Sequence, residues 1–221
     1  MQTQMFKETD KSLRDLVLRQ IEWEPEVSAT DIGVTTQEGV VTLTGFVHHY
    51  SEKLAAERAA KSVYGVKAVA NDIEVSLSST RNDPEIARDI VHRMNADVAV
   101  PKDQVKVTVR NAFVTLEGTV DWNFQRFAAA ECANRVSGVR GVTNLILVKP
   151  RVSATNVKTK IEEALKRNAE VDSRRITVST QDSTVHLYGS VRSWFERDEA
   201  ERAAWSAPGV SNVVDHISVA P

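Results

Sequence analysis

Val41-Thr42-Leu43-Thr44-Gly45, Val114-Thr115-Leu116-Glu117-Gly118 and Val185-His186-Leu187-Tyr188-Gly189 are three versions of one phrase, set 73 and then 71 residues apart. The same offsets carry Gly65-Val66 onto Gly138-Val139 and Gly209-Val210. They carry the pair Ile32/Val34 onto Val105/Val107 and Ile176/Val178, and the triplet Leu13/Val17/Ile21 onto Ile86/Ile90/Met94 and Val157/Ile161/Leu165. Chance does not supply several registers at once, so a single unit of about 70 residues stands here in three tandem copies.

Each copy reads in the same order. A triplet at i, i+4, i+8 marks an amphipathic helix, and Asp10, Asp83 and Thr155 are its N-cap candidates, with Pro84 in the first turn of the second copy. Two alternating apolar runs follow, joined by Glu38-Gly39, Asn111-Ala112 or Asp182-Ser183, the pattern of a hairpin. An alanine-rich stretch comes next: Ala55, Ala56, Ala59 and Ala60, then Ala128, Ala129, Cys132 and Ala133, then Ala200, Ala203 and Ala204. Small side chains let such a helix lie close on a sheet. Gly65, Gly138 and Gly209 end it as C-caps, and a last strand closes the unit. The fold class is therefore α+β: three tandem αββαβ modules, each a small three-stranded sheet with two helices on one face. Their expected bounds are 10–77, 82–150 and 153–221, after a tail at 1–9. The short links Ser76–Asn82 and Lys149–Ala154 require the modules to sit side by side. Gly45, Gly118 and Gly189 share the inward face with the Val and Leu before them, which predicts a helix crossing directly over each glycine.

Composition bounds the function. The chain has 221 residues, 42% hydrophobic and 26% charged, which excludes a disordered, collagenous or disulfide-framed protein. With 28 basic and 30 acidic side chains, the net charge of -2 provides no general field for nucleic acid, so any electrostatic site is local. Cys132 has no partner for an internal disulfide. No apolar run in the first thirty residues has the length of a secretory signal, and none elsewhere reaches the roughly 20 residues of a membrane span. The expected location is cytoplasmic, or periplasmic if the chain is a processed mature form.

The V-x-L-x-G strand, the alanine-rich helix and the Gly-Val after it, repeated at this spacing over residues 10 to 221, resemble the BON (bacterial OsmY and nodulation) domain family. The resemblance implies the αββαβ fold, no catalysis and no cofactor. It also implies a binding or adaptor role at a phospholipid surface or with an envelope-associated protein, often in osmotic or envelope stress. A potassium-binding relative makes ion binding a weaker alternative, for which no carboxylate or carbonyl cage is assignable.

Features that differ among the copies are the candidates for recognition. Basic character rises along the chain, from 7 basic and 11 acidic groups in residues 10–77 to 10 of each in residues 151–221. Lys158, Lys160, Lys166, Arg167, Arg174 and Arg175 gather around the first helix of the third copy, where they form either a headgroup-attracting patch or a solvated face shared with Glu162 and Glu163. Aromatics cluster where the second strand enters the second helix: His49-Tyr50, Trp122-Asn123-Phe124 and Trp194-Phe195. Trp122, Phe124, Trp194 and Phe195 are thus candidates for lipid or partner contact, or plugs for the end of each core. Trp205 aligns with the polar Lys61 and Asn134, and so is expected on an exposed helix face as a contact to another copy or to a partner. Phe113, Leu145 and Leu147 load the outer sheet face of the second copy and predict packing against a neighbouring copy or a second chain, making a homo-oligomer or a cytosolic partner the alternative function.

Catalytic signals are sparse. His186 and His216 are expected on the outer sheet face of copy three as a weak metal or pH-sensing pair without a third ligand, and His92 stands alone. Gly138-Val139-Arg140-Gly141 is a literal GxxG, but its place between helix and last strand fits a C-cap better than an RNA-binding loop. Cys132 replaces alanine, as a buried small side chain would. With no nucleotide, zinc-protease or nucleophile-elbow motif, neither an enzyme nor a metal site is expected.

Overall fold

The computed structural model describes residues 2–76, 81–150, 157–167 and 173–220. Its elements run α1 (Gln2–Trp23), β1 (Ile32–Gln37), β2 (Val40–Val47), α2 (Tyr50–Ser62) and β3 (Ala68–Val75) in module one. Module two comprises α3 (Asp83–Ala96), β4 (Val105–Arg110), β5 (Phe113–Val120), α4 (Asn123–Asn134) and β6 (Gly141–Val148). Module three comprises α5 (Val157–Arg167), β7 (Ile176–Gln181), β8 (Thr184–Val191), α6 (Trp194–Trp205) and β9 (Asn212–Val219). The chain is α+β, with three three-stranded sheets ordered β1-β2-β3, β4-β5-β6 and β7-β8-β9. In each, a tight antiparallel hairpin is followed by a parallel strand, which needs the second helix as its crossover. Registers repeat position for position: Ile32 faces Gly45, Val105 faces Gly118 and Ile176 faces Gly189.

Each core lies between its sheet and its two helices. The first-helix triplets are buried, as are Val41, Leu43 and Val47 and their counterparts in β5 and β8. Removing each such side chain from water stabilises the fold by about 1.5–3 kcal/mol. Ala56, Ala59 and Ala60 in α2, and Ala129, Cys132 and Ala133 in α4, complete the cores by allowing close approach.

Two capping expectations are corrected. Helix α1 begins at Gln2, within the stretch expected as a tail, so Asp10 lies inside it; α3 is capped by Asn82, whose Oδ1 accepts from Glu85 N at 3.0 Å while Glu85 Oε2 accepts from Asn82 N at 3.2 Å. The two aspartates hold the hairpin instead. Asp10 accepts from the backbone N–H groups of Glu38 and Gly39, and Asp83 from those of Asn111 and Ala112 at 2.9 Å each. The turn residues they grip have positive φ, Glu38 at 52° and Asn111 at 53°. Thr155, the third candidate, lies outside the described residues, as does part of each link between modules.

The glycine of V-x-L-x-G is crowded by main chain and not by a helix. Gly45, Gly118 and Gly189 have φ of 116°, 142° and 137°, and a Cβ on any of them would collide with the carbonyl oxygen of Asp31, Gln104 or Arg175, just before the facing strand. The expected helix over this position is replaced by a backbone crossing that only glycine admits.

The last strand is tied to the second helix by a polar side chain in its middle. Asn71 Nδ2 donates to the Lys53 carbonyl and Asn144 Nδ2 to that of Arg126, both at 3.0 Å, while their Oδ1 atoms accept from Ile73 N and Ile146 N. Module three has Asp215 here, ion-paired with Arg197. Among the described residues no helix is long and apolar enough to cross a membrane.

Candidate functional site

The three second helices meet end to end. Tyr50, Asn123 and Trp194 are the equivalent first residues of α2, α4 and α6, and Lys61, Asn134 and Trp205 are equivalent positions at or near their ends. Trp194 lies beneath Lys61 Nζ at 5.2 Å and beneath the Arg197 guanidinium at 4.8 Å, so the start of α6 meets the end of α2. Arg126, in the first turn of α4, stacks 5.4 Å from Trp205 at the end of α6. Tyr50 packs against the core of module two, and its neighbours His49 and Ser51 line a hollow with Asn134 and Arg135, bringing the start of α2 to the end of α4. Three head-to-tail contacts therefore close a ring. Each sets a helix N-terminus near a C-terminus, the favourable sense for helix dipoles, and two of the three are made by cations over indoles.

The ring assigns the aromatic candidates different places. Trp205 is half-buried and packs against the cores of modules two and three, while its Nε1 donates to Glu201 at 3.1 Å. Trp194 belongs to the contact with module one. Trp122 and Phe124 line an open cleft of about 770 Å³ between α4 and α6, together with Phe127, Trp205, Asp198, Glu201 and Arg202. Phe124 and Phe195, equivalent second residues of their helices, are 58% and 51% exposed. Asn123 is only 7% exposed and also lines the cleft, yet its Oδ1 has no hydrogen-bond partner among the described residues. Partial desolvation pushes the Asp198 carboxyl, at the rim of the cleft, above the usual carboxylate range, against the opposing pull of Lys61.

The basic candidates are displayed in module three. Lys158, Lys160, Lys166 and Arg167 lie on the solvent face of α5 opposite the buried Val157, Ile161 and Leu165, with Lys158 3.7 Å from Glu162. Arg174 and Arg175 are exposed in the turn before β7. On the outer sheet face of module two, Phe113, Leu145 and Leu147 are 57%, 52% and 67% exposed, so the described residues of the neighbouring modules leave them uncovered. Phe113 instead leans over Gly141, whose missing side chain makes room for its ring.

Two further groups are now located. His186, Tyr188 and His216 stack on the outer face of module three with ring centroids 4.8 to 6.3 Å apart. Among the described residues no three or more His, Cys, Asp or Glu side chains are placed to hold a metal ion. The Cys132 thiol is pushed up to about 11 by burial and by Asp97, whose carboxylate it faces at 3.7 Å, so it is a poor nucleophile near neutral pH.

Missed by sequence reasoning were Phe127, Asn123, Asp198 and Glu201. Phe127 follows the same helical row as Phe124, at i+3, and that spacing was the available signal. The acidic residues come from another module and carry none.

A family model described as the BON domain matches residues 9–76, 82–150 and 153–221. The chain is 35% identical over 129 residues to the osmotically-inducible protein Y of Escherichia coli, a match covering 56% of this chain and 64% of that protein, thus less than two thirds of the relative's length. It is 30% identical over 138 residues to the outer membrane lipoprotein DolP of Haemophilus influenzae, covering 60% of this chain and 71% of the relative. Among solved structures, CdsD, a structural protein of the type III secretion system of Chlamydia trachomatis, aligns with 95% of this chain and 93% of its own at 12% identity and a TM-score of 0.27, too slight a likeness to bear on how the modules are arranged.

Proposed function

The chain belongs to the BON domain family, and from that premise we propose a non-catalytic binding protein that associates with an anionic phospholipid surface of the cell envelope under osmotic or envelope stress. The observation that carries this reading is the exposure of Phe124 and Phe195 at equivalent corners of a ring that buries their neighbours Asn123 and half-buries Trp194. Large apolar side chains left in water at repeated positions serve an interfacial contact. Lys158, Lys160, Lys166 and Arg167 on α5 supply attraction of about 1 kcal/mol per charge close to an anionic surface. The names of the two relatives, one osmotically inducible and one an outer membrane lipoprotein, support the setting.

Co-sedimentation with phosphatidylglycerol vesicles tests it. Binding at low salt is expected, falling severalfold in Phe195→Ser and in a variant with all four α5 cations changed to Gln, and disappearing with neutral vesicles. Equal binding by all variants rejects the reading. A second reading, self-association or capture of a protein through Phe113, Leu145 and Leu147, is favoured by their exposure, and light scattering across a concentration range measures it.

A further inference from the structure

We propose that the cleft between α4 and α6 is a binding site for an organic cation, a guanidinium or ammonium group carried on a peptide segment of a partner. Its walls include Phe124 and Trp205, and its acceptors are Asn123, Asp198 and Glu201 beside the donors Arg202 and Ser206. Asn123 Oδ1 is buried without a partner among the described residues, and the exposed Asp198 carboxylate has no hydrogen bond or ion pair among them. Glu201 spends one oxygen on the Trp205 indole and keeps the other. A buried acceptor left unmatched is costly, so this amide gains from a donor delivered through the cleft that Asn123 lines, once its side chain turns toward it. Among the described residues the one cation lining the cleft is Arg202, which is engaged by Glu199; Lys61, Arg197 and Arg202 act on Asp198 through their charge without bonding it, so its carboxylate can still accept from an incoming donor. Apolar rings beside carboxylates and an amide oxygen are the chemistry that holds a flat or alkylated cation: the rings present their negative faces and the oxygens accept its N–H groups.

The molecule already uses this chemistry within itself. A guanidinium rests on Trp205 from α4, and Trp194 carries both a lysine and an arginine. Phe124 has no such partner among the described residues. The volume, about 770 Å³, is that of a site for a ligand larger than a single ammonium group. Hence the cation is expected as the side chain of an extended segment whose flanking residues fill the remainder. The site is separate from the cations of α5; it shares Phe124 with the lipid-facing corner but is argued from its own acceptors, so Asp198→Asn tests it apart from the lipid reading.

The test uses the full chain and three probes: a capped tetrapeptide Gly-Arg-Leu-Gly, the same peptide with citrulline for arginine, and choline. Indole N–H resonances report position, one for each of the four tryptophans. The arginine peptide is expected to shift Trp205 and leave Trp23 unmoved, with the neutral citrulline peptide about tenfold weaker. Asp198→Asn, at an exposed position outside the lipid-facing corner, is expected to weaken the arginine peptide by roughly three- to tenfold without changing vesicle binding, whereas Phe124→Ala is expected to weaken both. Choline binding as tightly as the peptide would support the cation site and assign it to a free small molecule. Equal affinity for arginine and citrulline peptides, an unaffected Asp198→Asn, or no shift at millimolar peptide would each overturn the proposal.

Discussion

Gly118 faces the carbonyl of Gln104 at a φ of 142°, so one methyl group there must push two paired strands apart. Gly118→Ala is expected to destabilise the protein by about 3 kcal/mol, from strain in the left-handed region and the backbone collision together. Gly33→Ala is the informative comparison, because its added carbon meets only the Thr44 hydroxyl, a side chain able to turn away, and a loss under about 1 kcal/mol is expected. Urea denaturation of the two variants separates them; equal losses would show that the carbonyl contact is not what selects glycine. The need for glycine was legible in the repeated phrase. Its cause was not, since alternation assigns a residue to a face but says nothing of its φ. Asp83 and Asp10 teach the same lesson: the place of Asp83 at a helix start was visible, that of Asp10 inside α1 was not, and the hairpin turn each holds lies nearly thirty residues away and belongs to tertiary structure.

Helix α2 ends in a small polar cluster that links two modules. Burial opposes ionisation of Glu57, but hydrogen bonds from Lys61 and Asn71 and the charges of Lys61 and Lys53 outweigh it and hold the carboxyl below its usual 4.5. A carboxyl lowered by folding stabilises the native state above its unfolded pKa, and that contribution is lost as pH falls through the folded value. The protein should therefore exceed Glu57→Gln in stability by about 1 kcal/mol at pH 7. The gap should close below pH 4.5, as read by denaturation at stepped pH. A gap independent of pH would assign the effect to packing. Lys61, engaged by Glu57 at 2.6 Å, is also the cation over Trp194, so this element carries stability from one module to the next. Element order and the hairpins could be read from hydrophobic period and turn residues, whereas the parallel pairing of each last strand with the middle one emerges only in the fold. Which helix end meets which could not, because the partners are equivalent positions in different copies and sequence repetition treats them alike.

At the scale of the molecule the ring joins modules that are each small for independent stability. Trp205 touches two cores and receives Arg126, so Trp205→Ala is expected to cost about 2–3 kcal/mol and to replace a single unfolding transition by two, seen by calorimetry. Trp23→Ala, at a side chain 83% exposed, should leave the melting profile unchanged. A sharp single transition in Trp205→Ala would mean that the modules are held together by other contacts. The cleft had its aromatic half visible in the sequence, as Trp122, Phe124 and Trp205, whereas its acidic half arises only when α6 is laid against α4.

Because contacts that run head to tail and return to their origin leave no end unsatisfied, the copy number is fixed by geometry. An additional unit spliced into the chain would find every docking position occupied and would dangle as an independent bead, whereas excision of any one unit would strand a mismatched pair of helix tips.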